Sequence, residues 1–510
     1  MKSWGKKNII VVLWSKNSVG TIANIFEKCA VQTPEQTFLH LPQTECSVSY
    51  GKFDRLSAGL DNELLRIAGH RLSCIGTLLP NGIEAALAIL TVLRSKATLV
   101  PMNPRLTWRE IGNILEQSFP ELILLSPAHA LIESFVESGW IQHKVNLPET
   151  DLVALVQGST IEQSRPELSG ASLLLFTSGT TGKPKGVILS ENNLLANAGY
   201  VNQAHEITSS DIALCLLPLY HINGLVVTLL APLLAGIPVV MPERFSIDEF
   251  WSLIARYKPT WFSAVPTIFS KILSEPQPEK DLYASLRFAR SASASLPEAV
   301  LHQFEARFAL PLIEAYGISE AACQVCSNPL PPGIHKPGSV GVPYGNEVKV
   351  VDSEVWVRGP NVFSGYLDRP QESTDALLDG WFRTGDLGWM DTDGYLYLTG
   401  RKKELINRAG EKIAPREIEE VLHELPQIES AGVAGIPSSI YGEEVAAFLV
   451  LRPGNSISVE DVSIYCRKKL ADFKVPRTIL FVEELPKGPS GKVQRRLLIE
   501  LYLKAMEKTS

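Results

Sequence analysis

The sequence predicts an α/β protein: a large N-terminal domain of α/β subdomains with a small β-rich subdomain, followed by a small α+β C-terminal domain. Three observations predict it. A chain of 510 residues exceeds what one hydrophobic core organises, so more than one domain is expected. Between Leu78 and Leu125, short strand-length apolar runs alternate with longer runs of helical spacing, the pattern of crossover helices and a largely parallel sheet. Beyond Pro329-Leu-Pro-Pro-Gly333 the texture changes to short β-branched runs separated by turn residues.

Taken in order, Thr21 to Cys29 has helical periodicity. Leu78 ends a strand, Ile83 to Leu93 is a buried helix, and Leu99 to Pro101 is the next strand. A helix from Thr107 to Leu115 and a strand from Glu121 to Leu125 continue the alternation. Leu173-Leu-Leu-Phe176 then reads as a buried strand running into Thr177-Ser-Gly-Thr-Thr-Gly-Lys-Pro-Lys-Gly186. The hydroxyls of Ser178, Thr180 and Thr181, the backbone N–H groups freed by Gly179 and Gly182, and the charges of Lys183 and Lys185 suit a polyphosphate. It is not a Walker loop, because Pro184 stands where that pattern needs Ser or Thr, and Val187-Ile-Leu189 favours a second strand over a helix. The stretch is therefore expected as the tip of a hairpin folding over phosphates, a plain solvated turn being the alternative.

Downstream, Leu216-Leu-Pro-Leu-Tyr-His-Ile-Asn-Gly224 puts His221 between an apolar strand and an apolar helix, at the kind of strand end where open α/β sheets place ligands. A satisfied buried histidine is the alternative. Trp261-Phe-Ser-Ala-Val-Pro266 and Arg287-Phe-Ala-Arg-Ser-Ala-Ser-Ala-Ser-Leu296 read as strands ending in small residues, with room beyond them for a flat ring. Leu312 to Glu320 brings Tyr316, Gly317, Ser319 and Glu320 to one strand exit. Strands follow at Val348 to Val351 and Val355 to Val357, then Gly380 to Leu387 with a hairpin at Asp391 to Gly394. From Gly400-Arg-Lys-Lys-Glu404 a different segment begins: a helix from Pro415 to Leu422, strands at Ala431 to Ile436 and Val445 to Leu451, and a helix capped by Ser458. The boundary is placed at 400/401, giving domains 1–400 and 401–510. Pro486 to Arg496 is a basic Gly- and Pro-rich loop containing Lys492, which by itself reads as a surface turn.

Composition narrows the function. With 45% hydrophobic and 20% charged residues and a net charge of −7, the chain has no electrostatic attraction to nucleic acid. The longest apolar runs fall short of the roughly 20 residues that span a bilayer. Lys6-Lys7 followed by Ile9 to Trp14 is too short an apolar core for a leader, so export is not expected. Seven scattered cysteines fit reduced thiols and a cytoplasmic location. Cys323 and Cys326 form a lone C-x-x-C without a second pair at zinc-binding spacing.

The motifs T-S-G-T-T-G-K-P-K-G at 177–186, Y-G-I-S-E at 316–320, R-T-G-D at 383–386, G-R-K-K-E at 400–404 and P-S-G-K at 489–492, in this order, resemble the class I adenylate-forming superfamily. That group contains acyl-CoA synthetases, firefly luciferase and nonribosomal adenylation domains. The resemblance spans nearly the whole chain. It implies that ATP activates a carboxylic acid as an acyl-adenylate and that a thiol, that of coenzyme A, then takes the acyl group. It further implies that the loop from Thr177 holds phosphates, Tyr316 stacks on adenine with Gly317 and Ser319 beside it, and Glu320 binds Mg²⁺. Asp386 and Arg401 would meet the ribose. Lys492 would stabilise charge on the α-phosphate, on a small domain that swings about Lys403 as hinge.

His221, Ser291, Ser293 and Cys323 are expected to gather as the acid pocket, His221 serving catalysis as well. No Asp or Glu lies within Leu219 to Asn223 to receive an amino-acid ammonium, and Ala315 stands where malonate-specific relatives carry Arg. The stretches around Ser327 to Gly341 and Lys403 to Ile413 are similar to the oxalate-CoA ligase subgroup, which has His where this chain has Cys323. The o-succinylbenzoate synthetases offer another resemblance. With His221 as the pocket's one cationic group, a monocarboxylate is expected to be preferred over oxalate. A carrier protein's pantetheine is the alternative acceptor.

Overall fold

The structure, a computed structural model, describes residues 20–157, 166–177, 184–438, 440–488 and 493–507. Within them, a nine-stranded sheet runs parallel through Thr37–Leu41, Val239–Val240, Ala213–Cys215, Trp261–Ala264, Phe288–Ser291 and Leu312–Ile318. Antiparallel strands flank it: Cys46–Ser49 on one side, Cys323–Ser327 and Val342–Pro343 on the other. An eight-stranded sheet has parallel strands Leu122–Leu125, Cys74–Leu78, Thr98–Pro101 and Ala171–Thr177 at its centre and antiparallel strands beyond them. The expected parallel arrangement thus holds for the sheet centres only. The edges are built by short connections, such as that from Thr177 to Lys185, which cannot make a crossover.

The helix Ile83–Ser95 explains how the sheets meet. Every residue from Ala85 to Leu93 is buried, so it is apolar all round and has no face for solvent. It shares one core with Tyr50–Ala68, with Glu191–Ala204 and with side chains of both sheets, and these helices therefore form the layer between them. Smaller cores back each sheet's other face. Phe250, Phe269 and Phe304 belong to one, Ile111, Ile114 and Phe135 to the other.

A third sheet, of Glu347–Val351, Glu354–Arg358, Trp381–Met390, Leu377–Leu378 and Leu396–Arg401, is the expected β-rich subdomain. It ends at Arg401. A single turn, Lys402–Glu404, leads to a fourth sheet built from Ile406–Arg408, Glu411–Ile413, Ile428–Ser438, Gly442–Leu451 and Thr478–Phe481. The helices Pro415–His423 and Val459–Lys469 pack with this sheet, the second capped by the Ser458 hydroxyl. In the last helix, Arg495–Glu507, Arg495 donates to Glu404 at 3.0 Å, to Glu419, and to the Val433 carbonyl at 2.6 Å.

Where the C-terminal segment meets the strand Leu312–Ile318, carboxylates collect. Glu314 is buried; its Oε1 accepts from Leu296 N–H at 3.1 Å, and among the described residues its Oε2 has no partner. Burial pushes its carboxyl up to about 7; Glu420 and Glu298 add to the shift, and Arg416 and the Leu296 N–H oppose it. The proton is held more tightly in the folded than in the unfolded chain. Glu314 is therefore best tolerated below its unfolded pKa and destabilises increasingly as pH rises through about 7. Glu314→Gln should gain stability relative to the native chain by roughly 2 kcal/mol between pH 5 and pH 8. Urea unfolding at both pH values checks this, and a gap that does not change with pH would refute it.

Candidate active site

Parallel strands put their C-terminal ends at one edge, and in the nine-stranded sheet Cys215, Ala264, Ser291 and Ile318 mark that edge. Ligands of open α/β sheets bind beyond such ends. Two groups of side chains lie there.

The first contains the motif residues. Tyr316 is buried on Leu312–Ile318, and its hydroxyl donates to Asp386 Oδ2; Arg401 Nε donates to the other carboxylate oxygen at 2.6 Å. Trp381–Met390 and Leu396–Arg401 pair Asp386 directly with Arg401, so the sheet register places that ion pair. Burial and the Asp386 carboxylate both raise the Tyr316 phenol, which stays protonated as a donor. Glu320, half-buried in the turn after the strand, accepts from the Tyr366 hydroxyl at 2.8 Å. Tyr366 arrives there because Gly365–Tyr366 pairs with Lys185–Ser190. Lys185 lies over the Tyr366 ring and is ion-paired with Glu372, so part of the charge expected for phosphates is already compensated. The hairpin of Ala171–Thr177 and Lys185–Ser190 is present as expected, Thr177 Oγ1 donating to the Lys185 carbonyl at 3.5 Å. Ser178, Gly179, Thr180, Thr181, Gly182, Lys183 and Lys492 lie outside the described residues.

The second group surrounds an arginine. Arg290 has no exposed surface, and its guanidinium donates to Ser263 Oγ at 2.9 Å, Asn223 Oδ1 at 3.2 Å and Gln324 Oε1 at 3.4 Å. The Cys323 sulfur lies beside it. Asn223 Nδ2 donates in turn to Ser293 Oγ at 3.1 Å. Burial pushes the Cys323 thiol up to about 11 although Arg290 pulls the other way, so it is neutral. The ring of His221 packs against Tyr220 with centroids 4.7 Å apart, two residues ahead of Asn223. Gly224 permits this turn, since a Cβ there would stand 2.2 Å from the Pro218 carbonyl oxygen. Asn223–Leu230 is a π-helix where a regular helix was expected, a form concentrated at functional sites.

The structure joins Ser293 and Cys323 through Asn223 and Arg290. Ser291 does not join them: neighbouring strand residues face opposite sides, so Ser291 turns away from Arg290, buried with a hydroxyl that has no partner among the described residues. The pocket's charge also needs correcting, because Arg290 is a second cationic group. Its signal was an arginine inside an apolar strand. Asn223, Tyr366 and Glu372 carry no local pattern that marks them, and Gln324 shows only as part of the resemblance to the o-succinylbenzoate synthetases. Neither Cys323 nor Cys326 is in a disulfide, and among the described residues no His, Cys, Asp and Glu side chains cluster as a metal site.

Gly317 holds the two groups together. A Cβ on it would lie 2.0 Å from the Cys323 carbonyl oxygen, a backbone atom that cannot swing aside. Gly317→Ala should cost about 2 kcal/mol or more and lower the melting temperature, because the antiparallel return from Tyr316 to Cys323 must open. Calorimetry checks it, and an unchanged melting curve would show the contact to be unimportant.

The sheet edge is thus divided between a carboxylate–arginine–tyrosine group and a buried cationic group. The chain belongs to the AMP-binding enzyme family: that family's model matches residues 26–367, and the model of its C-terminal domain matches 417–492. It is 37% identical to an oxalate–CoA ligase of Arabidopsis thaliana over 95% of this chain and 99% of that one. To a sulfoacetate–CoA ligase of Cupriavidus necator it is also 37% identical, over 94% and 97%. The structure of o-succinylbenzoate CoA synthetase from Bacillus subtilis with its acyl-adenylate intermediate superposes with a TM-score of 0.80 at 28% identity, covering 93% of this chain and 97% of that one. The protein is an acid–thiol ligase: ATP activates a carboxylic acid as its acyl-adenylate, coenzyme A takes the acyl group, and AMP and pyrophosphate leave. No described helix is long and apolar enough to cross a membrane.

Proposed function

We infer that the two side-chain groups divide the first half-reaction between them. A carboxylate is a poor electrophile, and forming the mixed anhydride with AMP supplies the leaving group it lacks. In our reading Thr177, Ser178, Gly179, Thr180, Thr181, Gly182, Lys183 and Lys185 receive the outer phosphates. Adenine lies against Tyr316, Gly317 and Ser319, and the ribose hydroxyls meet Asp386 and Arg401. The contact among Tyr316, Asp386 and Arg401 carries this reading, because it makes one polar patch of residues 70 positions apart in sequence.

Glu320 fits a Mg²⁺ ligand. One of its oxygens accepts from Tyr366 and the other is left for a hard cation, which takes its remaining ligands from phosphate and water. When bound, the ion supplies charge neutralisation at the phosphates; orientation of the carboxylate is the work of Tyr366. His221, Ser293 and Cys323, with Asn223, receive the acid, and Arg290 lies behind Asn223. The expectation of a monocarboxylate rested on a single cation, and Arg290 removes that premise. The acids in the names of the two relatives, oxalate and sulfoacetate, both carry a second anionic group beside the carboxylate. We take free coenzyme A as the acceptor over a carrier protein, and seven cysteines with no disulfide among them favour the cytoplasm.

Domains 1–400 and 401–510 would alternate about Lys403, bringing Lys492 to the α-phosphate in one orientation and admitting the thiol in the other. The test is nucleotide release: AMP and pyrophosphate should form only with acid and Mg²⁺ present, and ADP as product would overturn the reading. Lys492→Ala should slow acyl-adenylate formation by roughly 100-fold while preformed acyl-adenylate still reacts with coenzyme A. Lys403→Pro should do the reverse, sparing adenylation and slowing thioester formation, because proline fixes φ in the connecting turn. Equal losses in both half-reactions would count against the alternation.

A further inference from the structure

Arg290 is a charge without a counter-charge. Among the described residues no Asp or Glu forms an ion pair with it; its neighbours are the neutral Asn223, Ser263, Gln324 and the protonated Cys323 thiol, and its Nε has no hydrogen-bond partner. His205, which lies near it, is held neutral by burial and by Arg290 and Arg287. Arginine does not escape burial by losing its proton, so a full positive charge persists in the interior, a costly arrangement unless an anion completes it.

The hydrogen bonds show where that anion belongs. Arg290 donates to Asn223 Oδ1, which fixes the amide with its Nδ2 toward Ser293. Ser293 Oγ accepts from Asn223, leaving its own hydroxyl hydrogen free to donate outward. Ser293 is half-buried, in contrast to Arg290, and so is the member of this chain that reaches the sheet edge. Its backbone is held at φ 73° and that of Cys323 at φ 114°, both in the region that non-glycine residues avoid. Such strain is retained where a side chain must be aimed.

Resting on the reading that this group is the acid end, we propose that the acid is a short dianion, carrying a second carboxylate or a sulfonate beside the reacting carboxylate. Arg290 is the positioning residue that sets this preference, acting through Asn223 and Ser293. An acid with an uncharged tail leaves the guanidinium uncompensated and is rejected on that ground.

The test is acid-dependent ATP–pyrophosphate exchange with oxalate, malonate and sulfoacetate against acetate, propionate and benzoate. The native enzyme should favour at least one dianion over every monocarboxylate by roughly 10-fold or more in kcat/KM. Arg290→Gln should lower kcat/KM for that dianion by about 10-fold or more beyond its effect on monocarboxylates, with Arg290→Lys restoring part of the preference. A native enzyme that prefers a monocarboxylate overturns the proposal, as does an Arg290→Gln variant that loses both classes equally, the mark of a merely structural role. The native ranking needs no variant, so it decides the matter even where Arg290→Gln fails to fold. Exchange with monocarboxylates alone defeats this proposal and leaves the adenylation reading standing; no exchange with any acid defeats both.

Discussion

The carbonyl oxygen of Cys323 lies so close to the α-carbon of Gly317 that no side chain fits between them. The site depends on that contact. Leu312–Ile318 carries Tyr316 to Asp386 and Arg401, and after one turn at Glu320 the antiparallel strand Cys323–Ser327 carries Cys323 and Gln324 into the group around Arg290. A wider return would separate the residues we assign to ATP from those we assign to the acid. Bond formation between two substrates needs them held at near-contact distance, and on that assignment a few consecutive residues would set it.

Around this return, register does most of the positioning. Parallel pairing sets Ser263 opposite Arg290, so the hydroxyl that accepts from the guanidinium is delivered by the sheet. Antiparallel pairing in the third sheet sets Asp386 opposite Arg401 in the same way. Both interactions join neighbouring strands, and both are as rigid as the backbone ladders beneath them. That rigidity suits a reaction whose charges must be met by groups already in place.

Much of this was legible in the sequence, for identifiable reasons. The hairpin around Thr177 and Lys185 is read from β-branched residues following Gly and Pro, and the exit after Tyr316 from an aromatic, a glycine and a carboxylate in close succession. Helices and strands of the sheet centres follow from their periodicity, and the edges do not, because an antiparallel edge strand is defined by its short connection and its partner. Arg290 was visible as a letter and invisible as a charge: only its strand register shows that it shares the face of Phe288 and points inward. The pairing of Lys185 with Glu372 joins residues 187 apart and leaves no local trace. The separation of Ser291 from Ser293 and Cys323 comes from alternation along a strand that ends at Ser291 itself.

The bond from Arg495 to Glu404 has a mechanical consequence. Glu404 follows Lys403 in the turn that connects the third sheet to the fourth, and Arg495 stands three residues after Lys492, within about 10 Å of chain. Arg495 is also anchored to Glu419 and the Val433 carbonyl, so it is fastened to the body of the fourth sheet as well as to the connector. A torsion applied at the connector therefore reaches the tail with little slack, as through a crank fixed at both ends. Loosening that crank would let the fourth sheet turn without carrying its C-terminal segment to a repeatable position.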